Sequence, residues 1–240
     1  MEDTLEKPKI LVAARTRPGI AGAGRAEVFT ALPSDVQWVL RNTYALLSLT
    51  LLFAAGVAAV STSLALPAPG IILTLVRYFG LLFAIHRLKN SGWALPAVFA
   101  LTGFMGYTLG PLLARTLSLP GGAGTIGLAL GATGVTFLAL SGWVLATRRD
   151  FSWMGGMLFA GMVVAILAGL AAIFFQMPAL GLAVSAMVAL LSAGLILYET
   201  SAIVHGGETN YVLATVCLFV SLFNLFTSLL HLLGFGGSSE

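Results

Sequence analysis

The sequence predicts an all-α integral membrane protein, a seven-transmembrane helix bundle. Three observations carry that prediction. Hydrophobic residues make up 58% of the chain and charged residues only 9%, with a mean hydropathy of +0.99; a soluble domain carries roughly 25% charged residues. Apolar stretches recur along the chain at the length that about 30 Å of hydrocarbon requires, about 20 residues in helix. Basic residues gather in alternate connections between those stretches, as in a polytopic membrane chain.

Residues 1–39 differ in kind from the rest. They hold Lys7, Lys9, Arg15, Arg17 and Arg25, several acidic residues and the small-residue run GIAGAG at 19–24. They contain no apolar core of the kind a secretory signal peptide needs. This segment is expected to be a flexible cytosolic tail, with Ser34 or Asp35 capping a short amphipathic lead-in that ends at Arg41. The transmembrane domain is expected over 40–234. Its spans are predicted at 44–66, 71–85, 94–113, 125–146, 154–175, 180–203 and 212–233. The second is short and carries Arg77. Residues 235–240 form a short external tail.

Orientation follows from the short loops. The segment before span one is rich in Lys and Arg, the connection from two to three holds Arg87 and Lys89, and that from four to five holds Arg148 and Arg149. The other connections contain only Arg115. The prediction is a cytoplasmic N-terminus and a periplasmic C-terminus. The net charge of +3 expresses this asymmetry and gives no ground for nucleic-acid binding. The outward loops LPAPG at 66–70 and MPALG at 177–181 look alike, either as an internal repeat or as the ordinary preference for Pro and Gly in turns.

Two Gly-x-x-x-Gly pairs, Gly106 with Gly110 and Gly127 with Gly131, offer faces for close helix approach, as do Ala165 and Gly169. They are read as packing within the chain rather than as a dimer interface.

Chemistry is scarce. A single cysteine, Cys217, excludes an intrachain disulfide and a multi-thiol metal site. The spacing from His205 to Glu208 supplies half of a zinc site, which needs three or four ligands. Nucleophile-elbow, zinc-protease, phosphate-loop and dinucleotide motifs are not found. Neither an enzyme nor a cofactor is expected.

The informative residues are polar groups at membrane depth: Arg77, Glu199 and, in span seven, Ser221, Asn224, Thr227 and Ser228. Charge there costs several kcal/mol and marks function or a partner. Arg77 and Glu199 fall roughly 15 Å apart in depth at 1.5 Å per residue, too far for a salt bridge. Arg77 is expected to reach outward. For Glu199 two readings stand: an interfacial carboxylate that reaches the cytosol, and a buried polar latch or gate.

Several stretches carry a resemblance: YETS at 198–201, IVHGGETNY at 203–211, SLFNLFTSLL at 221–230, VLRNTY at 39–44, PGIILTLV at 69–76, TGFMGY at 102–107 and GGML at 155–158. Together they resemble the Bax inhibitor-1 family over nearly all of residues 39–234. The resemblance implies a seven-helix bundle with the last helix central and the first six wrapped around it in two layers. It implies a multi-pass protein of the bacterial inner membrane that associates with the membrane-bound AAA protease FtsH and modulates it in membrane-protein quality control. It also implies an alternative, a pH-sensitive calcium leak built on two aspartates of the last two helices. Glu199 matches the first of these and Ser221 aligns with the second, so the carboxylate pair is broken here. A lone carboxylate beside a hydroxyl lacks the like-charge coupling of a dyad, and calcium prefers six to eight oxygens. The candidate gate or latch comprises Glu199, Ser221, Asn224, His205 and Glu208, with Gly206 and Gly207 making the turn. Asn210 or Thr209 is expected to cap the last helix.

Overall fold

Uninterrupted apolar sequence becomes helix because lipid leaves the backbone no other partner. The computed structural model describes residues 32–236, so the expected tail over 1–31 and residues 237–240 lie outside the described residues. The helices are α1 Ser34–Ser63, α2 Ile71–Leu88, α3 Ala94–Leu117, α4 Gly122–Thr147, α5 Gly155–Phe174, α6 Pro178–Val204 and α7 Tyr211–Gly236. All seven are long and apolar enough to cross a membrane. A short 3-10 turn, Ser152–Met154, precedes α5.

One boundary differs from expectation. The amphipathic lead-in and the first span are one continuous helix of 30 residues. Nothing between Ser34 and Ala55 breaks it, and Val39, Leu40, Thr43 and Leu47 present one buried stripe. Neither Ser34 nor Asp35 caps it: Pro33 occupies the cap position, and the Ser34 hydroxyl donates to Asp35 at 3.3 Å. The predicted edge of the tail at residue 39 thus falls inside α1.

Helix α7 is the core. Buried residues make up 61% of its spanning window, against 6% for α2. It packs against α1, α3, α4 and α6, while α2 rests mainly on α3 and α5 on α6. The result is one central helix, four around it and two outside. Leu40, Leu101, Val144, Ile196 and Phe219 meet in the interior. Arg77 is accompanied at its depth: its guanidinium lies 5.8 Å from the centroid of the Phe104 ring on α3, a cation–π contact.

The two Gly-x-x-x-Gly pairs part company. On α3, a Cβ at Gly106 would collide with the Ala54 carbonyl of α1, and one at Gly110 with the Ser61 side chain. At this contact Ser61 and Thr62 donate to the Tyr107 and Gly110 carbonyls at 3.0 and 3.3 Å. On α4, a Cβ at Gly127 or Gly131 would meet nothing within 4 Å. The expectation of packing within the chain therefore fails for α4, whose glycines face outward. Ala165 is buried, and a Cβ at Gly169 would lie 3.7 Å from Val184, so α5 does pack its small residues on α6.

The two ends of the bundle are chemically distinct. One end holds Arg41, Arg87, Lys89, Arg148 and Arg149, and all four tryptophans: Trp38, Trp93, Trp143 and Trp153. Each of these indoles is at least half exposed. Tryptophan favours the membrane–water boundary. At the opposite end the likeness of two loops extends to the backbone. Ala65 and Gln176, each two residues before a proline, have φ of 48° and 53°. Each closes its helix with the same pair of bonds, Leu66 N–H to Ser61 O and Ala65 N–H to Thr62 O, against Met177 N–H to Ala172 O and Gln176 N–H to Ile173 O. This is the left-handed C-terminal cap usually given to glycine.

Candidate functional site

The stretch YETSAIVHGGETNY forms the α6–α7 turn at the basic end, and its polar groups face the neighbouring loops. Gly206 takes φ +74°, a conformation that closes α6 and that side chains resist. Gly207 has no positive φ, and a Cβ there would make ordinary contact with Ala202 at 3.5 Å. The turn therefore depends on Gly206 for its dihedral, and only one of the two predicted glycines carries that demand.

Asn210 caps α7. Its side-chain oxygen accepts from the Val212 and Leu213 N–H groups at 3.0 and 3.2 Å, which satisfies two of the helix's open donors. Its amide nitrogen donates to Lys89 O at 3.1 Å and to Asn90 Oδ1 at 3.2 Å, binding the α2–α3 loop to the turn. Glu208 accepts from the Asn210 N–H at 2.7 Å and holds that cap in place.

The α4–α5 loop is tied from the other side. The Ser201 hydroxyl accepts from Phe151 N–H at 2.9 Å and lies 3.3 Å from Arg149 O, to which it donates. His205 places Nδ1 at 2.9 Å from Ser201 O and Nε2 at 3.1 Å from Arg148 O. A neutral ring carries one N–H and serves one of these two carbonyls. Within the same loop, the Ser152 hydroxyl and backbone N–H donate to Asp150 and hold its carboxyl below the usual carboxylate range. That contribution is present at neutral pH and is lost as pH falls through the lowered pKa. Trp38 of α1 meets the Tyr211 ring edge-to-face at 5.4 Å. The turn is thus a hub joining the start of α1 and both other loops at this end.

Two cavities flank Trp38. One, of about 510 Å³, is lined by Asp35, Trp38, Ile203, Gly206 and Glu208, among others. The other, of about 430 Å³, includes Lys89, Asn90, Asn210 and Tyr211.

Glu199 lies one turn before the end of α6 and is half-buried. Cys217 of α7 lies near the Glu199 carboxylate, and Tyr78 of α2 is close to the same cysteine. Cys217 is exposed although it sits on the central helix. Ser221 is the next α7 residue on this side. It lies four residues beyond Cys217, about 6 Å deeper at 1.5 Å per residue, buried, with its hydroxyl donating to Cys217 O at 2.9 Å. Asn224 is about 10 Å deeper than Cys217 on the same reckoning. The predicted set therefore divides in two. His205, Gly206 and Glu208 belong to the hub. Glu199 lies near Cys217, and Ser221 and Asn224 lie deeper on α7.

Residues that sequence reasoning passed over are Ser201, Trp38, the Arg148–Phe151 backbone, the Lys89 carbonyl and the Asn90 side chain. Only the serine carried a signal, as a polar residue inside the last turn of an apolar helix.

Residues 36–238 match the family described as inhibitor of apoptosis-promoting Bax1. The chain belongs to the Bax inhibitor-1 family. Among its relatives in that family, the protein named modulator of FtsH protease YccA of Escherichia coli (strain K12) is 55% identical over 197 residues, 82% of this chain and 90% of that one. The inner membrane protein YccA of Escherichia coli O6:H1 shows the same identity and coverage. A Pseudomonas aeruginosa protein is 49% identical over 206 residues, 86% of this chain and 93% of its own. Bax inhibitor-1 membership agrees with seven apolar helices around a central last one.

Proposed function

We propose that this protein resides in the bacterial inner membrane, associates with the membrane-bound protease FtsH and modulates its action on membrane proteins. The observation that carries this reading is the 55% identity, across 90% of its length, to a protein named as a modulator of FtsH protease. The clustering of bases and tryptophans supports a cytoplasmic placement of the hub end, with the N-terminus inside and the C-terminus periplasmic. In that orientation the hub and its two cavities lie on the side from which a cytosolic protease machine approaches. A role in binding, without catalysis, fits the relatives' names.

The calcium-leak alternative is not favoured. The nearby Cys217 offers a thiol, and Ser221, one turn deeper, has its hydroxyl engaged with Cys217 O. That donor set lacks the clustered oxygens calcium takes.

The test is capture of the tagged full-length protein from native membranes in mild detergent, with turnover of a membrane substrate of FtsH followed in the same cells. FtsH is expected in the eluate, and raised levels of this protein should lengthen the substrate's lifetime. Absence of FtsH together with unchanged turnover would defeat the proposal.

A further inference from the structure

Helix α2 lies outside the bundle and carries a charge at membrane depth. Only 6% of its spanning window is buried, and it rests mainly on α3. Arg77 is exposed on it, with the guanidinium 5.8 Å from the centroid of the Phe104 ring. Among the described residues Arg77 forms no ion pair and no side-chain hydrogen bond. The connection from α2 to α3 is short, so the hub ends of the two helices lie at one level. Counted from those ends at 1.5 Å per residue, Arg77 and Phe104 both lie roughly 15 Å deep, near the middle of about 30 Å of hydrocarbon. The ring therefore holds the guanidinium at mid-depth.

A guanidinium has five N–H donors and no acceptor, and hydrocarbon offers those donors nothing. Charge at that depth is costly and pairs with an opposite charge or a carbonyl. The carboxylates of the described residues are Asp35, Asp150, Glu199 and Glu208. Asp35, Asp150 and Glu208 stand at the hub end, outside the hydrocarbon. Glu199 lies five residues before the end of α6, roughly 8 Å deep on the same reckoning. Depth thus separates Arg77 from Glu199 of its own chain, and equally from Glu199 of a second copy inserted the same way. The surface around Arg77 suits a helix. Leu73, Val76 and Phe83 are exposed on the same side of α2, and a Cβ at Gly80, one turn on, would meet nothing within 4 Å. A neighbouring backbone approaches closely at such a glycine.

We propose that this face of α2 docks a transmembrane helix of another protein, one with an Asp or Glu side chain near the middle of its span, and that Arg77 pairs with that carboxylate. The guanidinium fork meets a carboxylate through two parallel N–H bonds. Apolar side chains of the partner cover Leu73, Val76 and Phe83, with its backbone closest at Gly80. A wholly apolar helix would leave the charge unanswered. A phospholipid keeps its phosphate at the membrane surface, roughly 15 Å away. This inference does not depend on the protease reading, since the partner is named by its chemistry and the test contains no protease.

The experiment places the full-length protein in phosphatidylcholine vesicles with a labelled helix of about 20 leucines bearing one central Glu. A central position sets the carboxylate at mid-depth in either orientation. Association is read by energy transfer, with the all-leucine helix as the comparison. The Glu helix should bind wild type roughly tenfold tighter, within the range of polar contacts between membrane helices. Arg77→Gln should lose most of that preference; it alters an exposed side chain, and its melting temperature should stay near that of wild type. Gly80→Leu keeps the charge but blocks the approach, and should also weaken binding of the Glu helix. Equal binding of the two helices by wild type would overturn the proposal, as would undiminished preference in Arg77→Gln. Replacing part of the phosphatidylcholine with phosphatidylglycerol tests the competing occupant. If the wild-type preference for the Glu helix then disappears, Arg77 belongs to a headgroup and the docked helix is overturned.

Discussion

Helices α3 and α4 carry the same small-residue spacing and put it to opposite uses. Gly106 and Gly110 lie against the α1 backbone, with no space for a methyl group. Gly127 and Gly131 look out from the bundle into open space. The spacing gives a helix a smooth face; whether anything lies on that face depends on the neighbour. For α3 the neighbour is α1, whose Ala54 and Ser61 are small and whose hydroxyls at Ser61 and Thr62 bond across the contact. In lipid, where helices gain nothing by hiding apolar surface from water, close contact and such bonds are what hold them together.

The largest effect is expected where that contact is tightest. Gly110→Leu places a side chain into Ser61 and forces α1 away from α3. A cost of about 3 kcal/mol or more follows from overpacking against a backbone that has no room to yield. Folded yield and melting temperature in detergent measure it. A Gly110→Leu protein that melts like wild type would show that the α1–α3 contact is looser than the structure has it.

A second glycine separates room from dihedral. Gly206 has open space around it, like Gly131, yet it sits at φ +74°. Gly206→Val should cost about 2 kcal/mol, because a β-branched residue resists the left-handed region. Gly207→Ala should cost much less, since its Cβ meets only ordinary contact. Equal melting of the two variants would remove the dihedral from the explanation.

How much of this was legible from sequence depends on where the information resides. The seven spans follow from hydropathy because each helix must satisfy lipid by itself. The cap at Asn210 is also local, a side chain and two N–H groups within three residues. The hub is different. Asn210 reaches Lys89 O, and His205 and Ser201 reach Arg148 O and Arg149 O. A backbone carbonyl is the same in every residue, so the acceptor leaves no mark in the sequence. Continuity of α1 was hidden by Arg41 and Asn42, which read as a boundary but lie on the exposed or half-buried side of one helix.

A smaller effect tests the bonds at the α1–α3 contact. Ser61→Ala removes a hydroxyl that donates to Tyr107 O at 3.0 Å without adding bulk near Gly110. Interhelical bonds of this kind are worth about 0.6 kcal/mol in a membrane protein, so the melting temperature should fall slightly and the fold should persist. A fall as large as that of Gly110→Leu would mean that the bond, and not the close approach, holds the two helices.

The smallest effect is expected on α4. A leucine at Gly131 would project into space with no protein atom within 4 Å of its Cβ, on a face where Leu128, Leu130 and Leu138 are already exposed. Replacing glycine inside a helix also removes backbone freedom from the unfolded chain, which favours the substitution by up to about 1 kcal/mol. Gly131→Leu in detergent should therefore melt at or slightly above the wild-type temperature. The same variant in native membranes extends the comparison with α3, because a smooth helix face accepts another helix only while it stays smooth. Unchanged abundance and unchanged association there would mean that lipid alone covers the α4 glycines. A selective loss of association in membranes, with melting in detergent intact, would show that α4 keeps its glycines for a neighbour outside the chain, as α3 keeps its own for α1.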